Sequence, residues 1–312
     1  MTQHLHPPVL WTLALIVALL AVASVVARAL RRRRPDDAAG ELVARIRSWW
    51  VMVAIFAGAL VLGRVASIVL LALVSFLALK EYLSLIPTRR VDRRVLFWAY
   101  LAIPVQFWWV GIGWYGMFVI FVPVYMFLFL PLPMLIVGET QGYLRAVATL
   151  HWGLMTTVFS VGHAAFLLVL PEAGNPGAGG AGLLLFLLVV TELNDVAQFV
   201  SGKLLGRHRL IPKVSPKMTW EGFVGGLVVT ALVAAGLGLL LTPLPAWGAA
   251  ATGLLLSAAG LVGDLTVSAL KRDLGIKDSG NVIPGHGGIL DRLDSLTYTA
   301  PIFFHLIWYL YY

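Results

Sequence analysis

Apolar runs long enough to cross a bilayer recur from one end of this 312-residue chain to the other. Nothing else in the sequence narrows its fold as much. A crossing helix needs about 20 residues, and such runs fall near 9–30, 49–63, 65–85, 95–111, 117–137, 146–170, 181–200, 223–243, 246–270 and 295–312. In lipid each backbone polar group must be satisfied within the protein, so runs of this length and continuity read as helices. The expected fold is therefore all-α: a polytopic integral membrane protein with about ten transmembrane helices. Composition agrees, with 60% hydrophobic and 12% charged residues, where a soluble domain carries about 25% charge.

The count of ten rests on one ambiguity. Trp49 to Leu79 is broken only by Arg64, and a single long helix there would invert every later orientation. Loop charge decides for two helices. With ten spans and the N-terminus outside, the segments 28–48, 80–94, 138–145, 201–220 and 271–294 face the cytoplasm and hold 22 of the 23 Lys and Arg residues. So one-sided a distribution is the signature of positive-inside topology. The net charge of +8 is then a property of retained loops and implies no nucleic-acid partner. The run Val9–Leu30 has no Lys or Arg before it and Arg31–Arg34 directly after it, the reverse of a cleavable signal. Three regions follow: N-terminal helices with basic loops over 1–94, middle helices and a linker over 95–180, and a catalytic region over 181–312. The linker Pro171–Gly180 is flexible by composition. The first half is expected to supply lipid-facing helices. No internal repeat supports a transporter built from inverted halves.

Chemistry is concentrated after the linker. Cysteine is absent, which removes disulfides, thiolate nucleophiles and Cys-type zinc sites. The richest stretch is Ser268–Asp294, SALKRDLGIKDSGNVIPGHGGILDRLD, at the cytoplasmic end of one span and the start of the next. Lys271, Arg272, Lys277 and Arg292 supply positive charge, and the glycines around His286, Gly287 and Gly288 let backbone N–H groups approach a phosphate. Carboxylates among such cations make sense if a metal joins them, and Mg²⁺ takes a few carboxylates plus phosphate oxygens. Asp264 lies inside an apolar span, where an acid is costly and functional by default. Asp264, Ser268 and Lys271 share a helical stripe, as do Asp291 and Asp294. A second stretch, Glu192–Gly222, closes a span with Asn194 and Asp195, passes through Lys203 and other basic residues, and opens the next helix with Ser215-Pro-Lys217-Met-Thr219-Trp-Glu221. Ser215 or Thr219 can cap that helix, whose N-terminus favours an anion. The histidines lack zinc-ligand spacing, and Trp108–Trp109 and Trp308–Tyr312 suit membrane-interface belts.

Ser268–Asp294 resembles the signature of phosphatidate cytidylyltransferases, Ser-x-x-Lys-Arg, Lys-Asp, then Pro-Gly-His-Gly-Gly-x-x-Asp-Arg-x-Asp, with each position filled. Asn194-Asp195 through Gly202-Lys203, and Ser215-Pro216 through Trp220-Glu221-Gly222, resemble two further motifs of that family in the same order. In the N-terminal half only Ala78–Tyr82 (ALKEY) adds to the resemblance. It implies conversion of CTP and phosphatidate to CDP-diacylglycerol and pyrophosphate, in a homodimer, with Mg²⁺ that a monovalent cation such as K⁺ can accompany. It places the metal on Asp264 and Asp291 with Asp294 nearby. It makes Asp264, Lys271, Arg272, Asp291 and Arg292 the candidate catalytic residues. Asn194, Asp195, Lys203, Ser215, Lys217, Thr219, Glu221, Ser268, Lys277, His286, Gly287 and Gly288 become the substrate-binding candidates. Two departures stand out: Met218 where the family has Lys, and Gln198-Phe199 where it has a small residue and Tyr. The alternatives are a different lipid phosphate as acceptor, or a non-catalytic lipid-binding or transport protein. The Asp-Gly…Ala-Arg pattern of enzymes that consume CDP-linked lipids is not found.

Overall fold

The computed structural model describes residues 5–33, 37–87, 89, 93–280 and 287–312 and is 82% helical. Its long helices are α1 (Pro7–Arg33), α2 (Asp37–Leu62), α3 (Arg64–Leu85), α4 (Arg93–Gly111), α5 (Tyr115–Val137), α6 (Tyr143–Val169), α7 (Gly179–Leu205), α8 (Trp220–Leu241), α9 (Ala246–Asp273) and, after the four-residue α10 (Leu290–Leu293), α11 (Leu296–Tyr311). The long helices fall where hydropathy places them, except that α2 begins at Asp37 and takes up much of the expected loop 28–48. Among the described residues, however, eight helices rather than ten are long and apolar enough to span. Helix α11 has sixteen residues, about 24 Å at 1.5 Å per residue, against a hydrocarbon core of about 30 Å. Helix α4 opens with Arg93 and Arg94 and has Gln106 buried in its second half, so less of it suits lipid.

The ambiguous stretch is two helices. Gly63 separates them at φ +108°, a backbone conformation that residues with a Cβ rarely adopt. The π-helical turn Phe121–Met126 of α5 contains Pro123, whose missing N–H disrupts regular α-helical pairing.

Packing is tightest around α8. Its buried residues Gly222, Gly226, Thr230, Ala234 and Gly238 form an i, i+4 stripe, which brings α7 and α9 close, as small residues do in membrane bundles. A methyl group at Gly238 would lie 2.2 Å from Ala249 Cβ. The departure Gln198 packs here, its Cγ filling the space beside Gly226. Helix α3 is tied to α6 by Ser75 Oγ donating to Thr157 O at 2.7 Å and by Tyr82 Oη donating to Thr149 O at 2.8 Å.

Two connections differ from expectation. Pro171–Gly180 is anchored: Asn175 is buried and its Nδ2 donates to both Gly179 O and Leu241 O at 2.9 Å. One side-chain amide holds a turn that composition reads as flexible. The loop after α7 is an antiparallel hairpin, β1 (Arg209–Ile211) against β2 (Ser215–Thr219). Its strands are three and five residues long, too short to carry a clear alternating hydrophobic signal.

Candidate active site

Four acidic residues gather where α7, α9 and α11 meet. Helix α7 brings Glu192 and Asp195, α9 brings Asp264, and the α10–α11 junction brings Asp294. Glycine makes this meeting possible: a Cβ at Gly263 would stand 2.2 Å from Asp294 O, so α9 touches the junction backbone directly. Ser295 joins two of the acids. Its hydroxyl donates to Asp195 at 3.1 Å and its N–H to Asp294 Oδ1 at 2.7 Å. Asp264 accepts from Ser268 Oγ at 3.0 Å. The carboxylates act electrostatically on one another and on the Arg292 guanidinium. Arg292 Nε is buried with no hydrogen-bond partner, leaving that donor group without a partner among the described residues.

Asn194, next to the cluster, is occupied with the scaffold. It is 1% exposed, and its carbonyl oxygen accepts from Thr230 Oγ1 at 3.2 Å and Ser257 Oγ at 2.5 Å. It thereby fastens α7 to α8 and α9 at the depth of the acids.

Asp291 holds a second, distinct set of bonds. Its Oδ1 accepts from Lys271 Nζ at 2.7 Å. Its Oδ2 accepts from Ser279 N and Ser279 Oγ at 2.9 Å and from Gly288 N at 3.1 Å. Burial pushes the Asp291 carboxyl up, but the Lys271 ammonium and the N–H groups of Gly288 and Ser279 outweigh it and hold the carboxyl below its usual range. The N–H of Gly288, expected to face a phosphate, is thus spent on Asp291, with Gly287 at φ +79° making the turn. His286 lies outside the described residues.

The same end of the bundle carries the hairpin. Thr219 caps α8, its Oγ1 accepting from Gly222 N at 3.1 Å. Glu221 accepts from the backbone N–H of Arg207 at 3.0 Å and lies 2.6 Å from His208 Nδ1, so it fixes the turn into β1. Arg272 Nε donates to Val214 O at 3.2 Å, pinning the hairpin tip to the end of α9. Ser215 is half-buried in β2. Lys203, Lys217 and Lys277 are exposed and leave their ammonium groups in solvent at this end. Phe199 is 61% exposed on α7, and Met218 is half-buried in β2.

The donor chemistry suits a hard divalent cation. Asp264 and Asp294 each have one carboxylate oxygen that accepts no hydrogen bond among the described residues, and Asp291 Oδ1 is shared with Lys271 alone. Among the described residues no three Asp, Glu or His side chains are grouped so that they could hold a metal ion. Magnesium, which binds through one or two carboxylates together with substrate phosphates, does not require such a group.

Comparison with known proteins decides the family. The pattern of the cytidylyltransferase family matches residues 43–310. The chain belongs to the cytidylyltransferase family. It is 43% identical over 298 residues to the uncharacterized protein YnbB of Escherichia coli (strain K12), covering 96% of this chain and 98% of that protein. It is 40% identical over 124 residues to the phosphatidate cytidylyltransferases of Staphylococcus saprophyticus and Staphylococcus haemolyticus, covering 39% of this chain and 48% of theirs. As a cytidylyltransferase the chain is a nucleotidyltransferase enzyme of the membrane.

Two acids of this cytidylyltransferase stand outside the candidates marked in its sequence. Glu192 joins the cluster one helical turn before Asp195. Glu81, from α3, reaches the signature segment itself. It is 8% exposed, and its carboxylate accepts from Ile289 N at 2.9 Å, from Leu290 N at 3.0 Å and from Ser279 Oγ. The first half of the chain is thus more than a lipid-facing support. An acid near the end of an apolar run was the available signal, by the same reasoning that singles out Asp264.

Proposed function

We propose that this cytidylyltransferase transfers the cytidylyl group of CTP to phosphatidate, giving CDP-diacylglycerol and pyrophosphate. The observation that carries this reading is the cluster of Asp195, Asp264 and Asp294 with Arg292 among them, set at the same end of the bundle as the basic hairpin. A phosphate oxygen of the lipid attacks the α-phosphorus of CTP, the bond from that phosphorus to the bridging oxygen breaks, and pyrophosphate departs. Such transfers depend on positioning and charge neutralisation more than on covalent help. Arg292 stabilises the transferring phosphoryl group, and Lys271 orients phosphate oxygens from its place beside Asp291. Lys203, Lys217 and Lys277 draw the triphosphate in from water. Asp264 and Asp291, with Asp294 beside them, would hold Mg²⁺, which supplies neutralisation of the phosphate charge when bound; K⁺ is its proposed companion. The assembly is read as a homodimer.

The purified protein, given labelled CTP, Mg²⁺ and phosphatidate, is expected to form a labelled CDP-lipid, and excess EDTA is expected to abolish this until Mg²⁺ or Mn²⁺ is restored. Full turnover in chelator would remove the metal from the reading, and no CDP-lipid from any lipid phosphate would remove the reaction. A different lipid phosphate as acceptor is the second reading. It is favoured by the partial match, since the alignment with the phosphatidate enzymes spans 39% of this chain while YnbB matches 96%.

The reaction needs its site where soluble CTP is present, so we place the basic end in the cytoplasm and the N-terminus outside. Cysteines introduced at Asp278 and Gly177, both exposed, should react with an impermeant thiol reagent from opposite sides. The background is clean because the chain has no cysteine. Labelling of both from one side would overturn the topology.

A further inference from the structure

We infer that Glu81 is a positioning residue of the active site, holding Ser279 against Ile289 and Leu290 within the signature segment so that Asp291 is aimed at Lys271. This rests on the reading of that segment as the nucleotidyl-transfer site. Within the segment Ser279 stands before the Pro-Gly-His-Gly-Gly run and Ile289 and Leu290 follow it, and Glu81 is the acceptor common to both sides. Asp291 makes a parallel connection, taking Ser279 N, Ser279 Oγ and Gly288 N on one oxygen. Two carboxylates, 210 positions apart in the chain, therefore share Ser279 and pin the same backbone. Glu81 is the one of the two that comes from outside the segment.

The fit is close on every side. A Cβ at Gly288 would lie 2.0 Å from Glu81 Oε1, and one at Gly280 would lie 3.0 Å from Glu81 Oε2. Glycine at both positions lets the backbone reach the carboxylate. The carboxylate is itself fixed, because its neighbour Tyr82 is 1% exposed and bonded to Thr149 O, and Tyr82 packs against Trp152 with ring centroids 5.4 Å apart. Outer carboxylates that orient a reacting group are typically worth 10–100-fold in activity.

Glu81→Gln keeps the size and burial but puts an NH₂ group, a donor, where at least one N–H or O–H needs an acceptor. Hydrogen–deuterium exchange of the detergent-solubilised full chain is expected to speed up in peptides covering 277–293 and to stay unchanged in peptides of α7 and α8. Turnover is expected to fall about 10–100-fold, carried by kcat with KM for CTP within about threefold. Ser279→Ala removes a shared donor with less risk to folding and should give a smaller loss. The double variant should fall short of the product of the two single effects, since the residues act as a unit. Unchanged exchange over 277–293 would overturn the inference whatever the enzyme's substrate proves to be. Faster exchange with unaltered kcat would overturn it too, leaving Glu81 a structural tie. Wild-type protein that makes no CDP-lipid would instead remove the proposed reaction, and the exchange result would still decide the clamp.

Discussion

Asp264→Asn is expected to lower CDP-lipid synthesis by about a thousandfold while the protein accumulates and inserts as before. A loss of that order follows removal of one strong electrostatic contact to a transition state, and a hard cation needs the negative charge that an amide lacks. The structural reading points the other way. A neutral amide is cheaper than a carboxylate in an apolar span, so insertion and thermal stability should hold or improve. A competing role for Asp264 would be to neutralise the cations at the end of α9. The geometry gives those cations other partners: Lys271 lies on Asp291 at 2.7 Å and Arg272 on Val214 O at 3.2 Å. Asp264 accepts only from Ser268 among the described residues. Turnover, thermal unfolding in detergent and membrane yield of the variant would be measured together. Near-normal turnover would place the reacting centre elsewhere, and lost stability with part of the activity kept would make Asp264 a structural acid.

Much of this arrangement is legible in the sequence because the physics is local. A spanning helix is specified by its own twenty residues, and Asp264 and Ser268 meet because they are one turn apart. Thr219 caps α8 by the same short-range logic. What is not legible depends on partners distant in the chain. Ser279 follows Glu81 by 198 positions, and in the sequence Glu81 stands only as part of Ala78–Tyr82 (ALKEY), with nothing local to show what it would reach. The resemblance makes Asn194 and Glu221 substrate-binding candidates, and nothing local in the sequence shows what else they bind. In the structure the Asn194 carbonyl serves Thr230 and Ser257, and Glu221 serves the turn at Arg207 and His208. Which polar groups remain for a ligand is a question of what the fold has already used.

Asp291→Asn and Lys271→Met should separate the two duties of the Lys271–Asp291 pair. Both are expected to reduce turnover by about a hundredfold or more, because each removes a charge beside the proposed transfer site. Their effects on stability should differ. Lys271→Met leaves Asp291 Oδ2 with its three donors from Ser279 and Gly288, and the apolar replacement fills the space of the lysine stem. Asp291→Asn is worse on both sides. If its oxygen serves Ser279 and Gly288, its NH₂ faces the Lys271 ammonium, whose side chain is only 13% exposed. Breaking a buried pair by removing one partner costs about 3–5 kcal/mol, which for a chain of this size is a fall of roughly 5–15 °C in Tm. The pH dependence carries the sign. Asp291 titrates below the usual carboxylate range in the folded protein, so its contribution is complete above that range and is lost as pH falls through the folded value. The Tm gap between wild type and Asp291→Asn should stay constant from neutral pH down to about pH 5 and narrow only below about pH 4. A gap that closes above pH 6, or a Lys271→Met variant that loses as much stability as Asp291→Asn, would mean that Asp291 does not hold the signature segment through Ser279 and Gly288.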